Sequence, residues 1–164
     1  MILRAVSQEL VARQWRLAVA ESATGGLLGH TITRMSGSSA FFWGGVIAYA
    51  NDIKTRLLGV STTSLQRWGA VSASVALEMA RGAQGALDVE VALSITGIAG
   101  PTGATPLKPL GLYYIGLAVP GECWCWRHCF SGDRDANNHD AAGAALQHLL
   151  DYLRPSPPDQ TVSS

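Results

Sequence analysis

The chain has 164 residues, 48% of them apolar and 15% charged, and twelve basic side chains balance twelve acidic ones to a net charge of zero. Such a chain is long and apolar enough for one domain with a sizeable core, and it is no disordered polyelectrolyte. Without net charge it has no bulk attraction for nucleic acid or an anionic membrane, so neither is expected as a partner. No apolar run approaches the ~18 residues that span a bilayer. The N-terminal residues carry Arg4, Glu9, Arg13 and Arg16 and lack a signal-peptide core. Three cysteines, Cys123, Cys125 and Cys129, fall in one stretch without disulfide or metal-ligand spacing. The expectation is a cytoplasmic domain.

Ile2, Leu3, Val6 and Leu10 recur at helical spacing, which predicts an amphipathic helix over 2–14. The run 17–20 reads as a first strand. It enters Glu21-Ser22-Ala23-Thr24-Gly25-Gly26, and a helix to about Met35 follows. Ser22 or Thr24 is expected at the start of that helix, where backbone amides lack partners. Such a corner can hold an anion, or present a serine beside an oxyanion site, or be a plain cap. Residues 41–49 predict a second strand with a bulge or close crossing at Gly44-Gly45. Asn51-Asp52 is expected to cap a short helix carrying Lys54, Leu57 and Leu58, with Gly59 ending it.

Ser61 or Thr62 predicts another helix start, ending near Gly69, and Ser72 opens a helix to about Ala86. Val89 to Ile95 reads as the third strand, leading into a loop from Thr96 to Pro106 dense in Gly, Thr and Pro. Residues 111–119 and 122–130 predict a hairpin turned at Pro120-Gly121. On its second strand the three cysteines share a face with Arg127. Ser131 to Asp135 opens the final helix, and the proline-rich tail 155–164 is expected to be disordered. The whole predicts an α/β domain over 1–154, three layers α/β/α around a mixed, mostly parallel sheet of about five strands. Ligands of such folds bind at the carboxyl ends of the strands. That edge collects Ser22, Tyr49 and Thr96.

Known phosphate-loop, nucleophile-elbow and Ser-x-x-Lys patterns are missing, and His30, His128, His139 and His148 lack metal-ligand spacing. What remains is a serine at a helix start and Lys54 one turn into a helix beyond Tyr49. Lys54 is either a general base with a lowered pKa or a solvated helix residue. The Tyr49 hydroxyl, placed between the two, would relay a proton or hold the geometry.

Seven segments stand in one order: Ala20 to Gly26, Gly37-Ser38-Ser39, Tyr49 to Lys54, Gly69 to Ser72, Ser94 to Pro101, Lys108 to Gly111, and Phe130 to Arg134. In series they resemble the CinA C-terminal domain family, the nicotinamide-nucleotide amidases, from about residue 5 to 152. The resemblance implies a stand-alone form without the N-terminal domain of longer members. It implies hydrolysis of the carboxamide of nicotinamide mononucleotide to nicotinic acid mononucleotide and ammonia, with no cofactor and no metal, in a homo-oligomer. By the same resemblance Ser22 is the nucleophile, Lys54 the general base, Tyr49 its helper, and Thr96 part of the site. Backbone amides of Ala23, Thr24 and Gly25 are expected around the oxyanion, and Gly97, Gly100 and Arg134 beside ribose and phosphate.

The chain departs from the family pattern at Ala23, where a cysteine is usual, and at Gly103-Ala104 and Leu107, where Gly-Gly and Glu are common. It has Asn137-Asn138-His139 where the last helix often carries a further arginine. A catalytically weak or inactive module that binds a nucleotide or a protein therefore stands as the alternative. Trp43, Trp68, Trp124 and Trp126 are open to either core packing or an oligomer surface.

Overall fold

The structure, a computed structural model, describes residues 1–154; the tail at 155–164 lies outside the described residues. α1 (Ile2–Arg13) buries Val6 and Leu10 and stops at Gln14, which turns left-handed at φ 56°. β1 (Leu17–Glu21) is buried along its whole length, as a central strand without polar alternation should be. It pairs in parallel with β2 (Phe42–Ile47) on one side and β3 (Val91–Gly97) on the other. β4 (Leu112–Val119) runs antiparallel to β3, and β5 (Glu122–Cys129) closes the expected hairpin. The order is β2-β1-β3-β4-β5. Four strands point one way and β4 alone is reversed, so the sheet is mixed and mostly parallel, as the sequence predicts.

The two faces of the sheet differ in side-chain size, and this sets the layers. Leu17, Val19, Leu93, Ile95 and Ile115 pack under α1, α2 (Leu27–Thr33) and α6 (Arg134–Leu153). Ala18, Ala20, Ala92 and Ala118 face α5 (Ala73–Ala86), with α3 (Asn51–Leu58) and α4 (Thr62–Trp68) beside it. The alanine face lets α5 approach closely: the Ser94 hydroxyl donates to Ala76 O at 2.6 Å, and a Cβ on Gly116 would lie 2.6 Å from the same oxygen. Burying these apolar groups contributes roughly 25 cal/mol per Å² removed from water.

The glycine pair of β2 does both things expected of it. The register slips between Leu17 and Ala18, whose partners are Phe42 and Gly44, and a Cβ on Gly45 would lie 2.4 Å from Val19 Cγ2. Ser61, Ser72 and Asp133 cap α4, α5 and α6 through bonds from Ser64 N, Val75 N and Ala136 N. Three local expectations are corrected. α2 begins at Leu27, several residues after Ser22 and Thr24, neither of which caps it. Asn51 lies inside α3 and no side chain caps that helix. β3 continues past Ile95 because the ladder to β4 runs on through Thr96 opposite Tyr114 and Gly97 opposite Tyr113.

Candidate active site

The carboxyl ends of β1, β2 and β3 open on one cavity of about 310 Å³. Its lining includes Ser22, Ala23, Tyr49, Lys54, Thr96 and Arg134, together with the 97–100 segment. Strand alternation sends the neighbours Glu21 and Ser22 to opposite sides. The Ser22 amide donates to Ile95 O at 3.0 Å, carrying the β1–β3 ladder one residue past β1. Its side chain therefore stands at a fixed point on the sheet edge.

Glu21 turns the other way, is 1% exposed, and organises the turn that follows Ser22. Oε2 accepts from the Thr24 hydroxyl at 2.7 Å, Gly26 N at 3.1 Å and Leu28 N at 3.0 Å, and Oε1 accepts from Gly29 N at 2.8 Å. The amides at the start of α2 thus meet an internal carboxylate, which also suits the positive end of the helix. Sequence reading missed this residue, because glutamate is not a usual cap and the bonded amides lie five to eight residues ahead.

Lys54 is 1% exposed. Its Nζ donates to Ala48 O at 2.8 Å and Tyr49 O at 3.0 Å, and lies 3.0 Å from Ser22 Oγ. Among the described residues no carboxylate pairs with it. Burial without a counter-charge holds its pKa below the ordinary lysine value of 10.5. A neutral amine has two N–H bonds and one lone pair. In that form the two carbonyls would take the N–H bonds and the lone pair would face the serine hydroxyl. The solvated-helix alternative for Lys54 does not hold.

The other site residues divide. Thr96 is fully buried and donates to Ala70 O at 2.8 Å, which fixes the Ala70-Val71 side of the cavity. Gly97 admits the Tyr113 ring, since a Cβ there would lie 2.3 Å from Tyr113 Cδ1. Arg134 reaches over the mouth, with Nη1 donating to Gly100 O at 2.9 Å and Nη2 donating to the Tyr49 hydroxyl at 3.4 Å. Tyr49 is 63% exposed, and its carbonyl rather than its hydroxyl meets Lys54. The expected phenol between lysine and serine is therefore corrected: that hydroxyl pairs with Arg134.

Thr24 and Gly25 do not line the cavity. The Thr24 side chain belongs to Glu21, and the Gly25 amide donates to Ser22 O at 3.1 Å. Among the described residues, the turn amides with no intramolecular acceptor are those of Ala23 and Thr24. The histidines stand apart from the cavity. His128 and His148 face each other with Nε2 atoms 2.7 Å apart, and His148 stacks on Trp126. Trp43, Trp68 and Trp124 are 56%, 49% and 46% exposed. No described group of three or more His, Cys, Asp or Glu could hold a metal ion, and no described helix is long and apolar enough to cross a membrane.

Comparison with known proteins gives one answer. The family model of the CinA C-terminal domain matches residues 1–153. The chain is 58% identical over 144 residues to a CinA-like protein of Nostoc sp. (strain PCC 7120), covering 81% of this chain and 34% of that one. It is 56% identical over 130 residues to a CinA-like protein of Thermosynechococcus vestitus, covering 79% and 31%. The chain thus spans about a third of the length of these curated relatives. A crystal structure of a competence-damaged protein (CinA) superfamily member from Escherichia coli superposes with TM-score 0.89 at 35% identity, covering 92% of this chain and 88% of that one. The competence damage-inducible protein A of Klebsiella pneumoniae gives 0.91 at 30% identity, covering 95% and 97%. The chain belongs to the CinA C-terminal domain family.

Proposed function

We propose that the chain is an amidohydrolase that converts nicotinamide mononucleotide to nicotinic acid mononucleotide and ammonia. The observation that carries this reading is the Lys54 amine, buried without a counter-ion among the described residues, held by two carbonyls and 3.0 Å from Ser22 Oγ. Ser22 attacks the carboxamide carbon as its proton passes to Lys54 Nζ. The oxyanion forms beside Ala23, which lines the cavity and whose amide has no acceptor among the described residues, and such a donor contributes roughly 3–4 kcal/mol in known cases. Collapse expels ammonia, which leaves with the proton held on Lys54. Water then attacks the Ser22 ester, giving a proton to Lys54, and Lys54 returns that proton to Ser22 Oγ as the acid departs.

Arg134 supports a phosphate-bearing substrate. Its planar guanidinium lines the same cavity as Ser22 and can offer a two-pronged contact to phosphate oxygens. The reading is tested by acid-quenching enzyme with nicotinamide mononucleotide in the first turnovers and weighing the protein. A covalent adduct equal to substrate less ammonia, mapped to the peptide holding Ser22, supports it. An adduct elsewhere contradicts the assignment.

A further inference from the structure

The first turns of α6 hold the cavity wall at three successive points. Arg134 Nη1 donates to Gly100 O at 2.9 Å. Asn137 Nδ2 donates to Ala99 O at 3.1 Å and to Gly132 O at 2.9 Å, and its Oδ1 accepts from Gly132 N at 2.9 Å. Asn138 Oδ1 accepts from the Tyr113 hydroxyl at 2.6 Å, and the Tyr113 ring is the one that fills the space over Gly97.

Asn137 is 2% exposed, and all its polar capacity facing the wall is engaged. Its orientation is forced, because the Gly132 N–H must meet an oxygen while two carbonyls must meet the amide N–H bonds. The wall needs such a tether. Up to Ile98 it is held by backbone bonds, with Ile98 N donating to Leu112 O and Gly111 N to Ile98 O, both at 2.8 Å. Beyond Ile98, the described partners of the Ala99 and Gly100 carbonyls are the side chains of Asn137 and Arg134. An anionic ligand that draws Arg134 away from Gly100 leaves Asn137 as the remaining described tie between the Ala99–Gly100 segment and the helix.

We propose that Asn137 is a positioning residue for substrate capture: it fixes the 98–100 wall against α6, and through that wall the resting place of the Arg134 guanidinium, without touching Ser22 or Lys54. This rests on the amidase reading. The role belongs to substrate binding, because Asn137 does not line the Ser22 cavity and lies on the far side of the Ala99–Gly100 segment, in an adjoining cleft with Pro101 and Leu110.

The test compares wild type with Asn137→Asp, which keeps an acceptor for Gly132 N–H but sets an anionic oxygen against two carbonyls. Asn137→Ala removes all three bonds without adding charge and stands in if the aspartate variant does not fold. Nicotinamide mononucleotide turnover is read as KM and kcat, and p-nitrophenyl acetate hydrolysis serves as a small-ester readout of Ser22 and Lys54 alone. The expected result is a KM raised about tenfold or more, the loss of a buried donor, with kcat and the ester rate within about twofold of wild type. Variants that keep the wild-type KM, or whose kcat and ester rate fall together, overturn the role of Asn137. No nucleotide turnover by the wild type overturns the amidase reading, and the inference falls with it.

Discussion

The Thr24 hydroxyl donates to the Glu21 carboxylate at 2.7 Å, inside the turn that carries Ser22. This bond and three amide bonds to the same carboxylate shape the corner from within and take up the Gly26, Leu28 and Gly29 amides at the start of α2. Glu21→Gln puts an amide N–H against these donors. It should destabilise the protein by about 2–3 kcal/mol, the cost of unsatisfied buried groups, and lower kcat by loosening Ser22. Thr24→Val removes one donor and should cost about 1 kcal/mol with kcat largely kept. Urea unfolding beside ammonia release separates the two effects, and a Glu21→Gln protein as stable as wild type would contradict the account.

Activity should follow the protonation of Lys54. Burial lowers its pKa from 10.5, and the amine acts as base only when neutral. On the acid side kcat/KM should therefore rise tenfold per pH unit, then level above a midpoint lying below the ordinary lysine value. Lys54→Arg keeps the charge but cannot give up a proton, and should lower kcat by about 10²–10⁴-fold across the whole range. A pH-independent rate in the wild type would contradict a titrating base.

The pair His128 and His148 should impose a separate pH dependence, on stability. Both rings are held below the ordinary 6.5 by burial, and for His148 also by His128, with Asp151 opposing. The unfolded chain thus takes up protons that the folded rings resist, so the pair's contribution is present above pH 6.5 and is lost as pH falls from there through the lower values of the folded rings. A further loss is expected between pH 4.5 and about 2, where Glu90, held down by Arg16, is protonated. His128→Phe with His148→Phe should flatten urea midpoints between pH 7.5 and 5.5 and leave the lower limb intact.

Two glycines of opposite character give a packing test. Gly97→Ala drives a Cβ into the Tyr113 ring, at the strand end that carries Thr96, and should cost about 1–3 kcal/mol. Gly143→Ala meets nothing within 4 Å in the middle of α6 and should stabilise by about 0.5–1 kcal/mol. Thermal unfolding of both variants reads the sign directly.

Much of this was visible in the chain itself, for physical reasons. The apolar runs at 17–20, 89–95 and 111–119 are long enough to mark buried strands, and Ser61, Ser72 and Gly59 sit where helix ends need them. The positions of Ser22, Tyr49 and Thr96 just past the carboxyl ends of predicted strands put them at one edge. What stayed hidden depends on contacts distant in sequence or on side-chain direction. Glu21 caps a helix six residues away. Gly97 reads as loop punctuation, yet it makes room for a ring sixteen residues on. The Tyr49 phenol turns to Arg134, 85 residues along the chain, which no local pattern encodes. Asn137 stands where a charged phosphate contact was sought, and instead supports the backbone beside it.

The most direct test of the Ser22–Lys54 assignment is ammonia and nicotinic acid mononucleotide formation from nicotinamide mononucleotide by wild type, Ser22→Ala and Lys54→Ala in parallel. The account predicts both products in equal amounts from the wild type and neither from the two variants. Turnover that survives in Ser22→Ala, or a wild type that makes no product at high enzyme concentration, would contradict it.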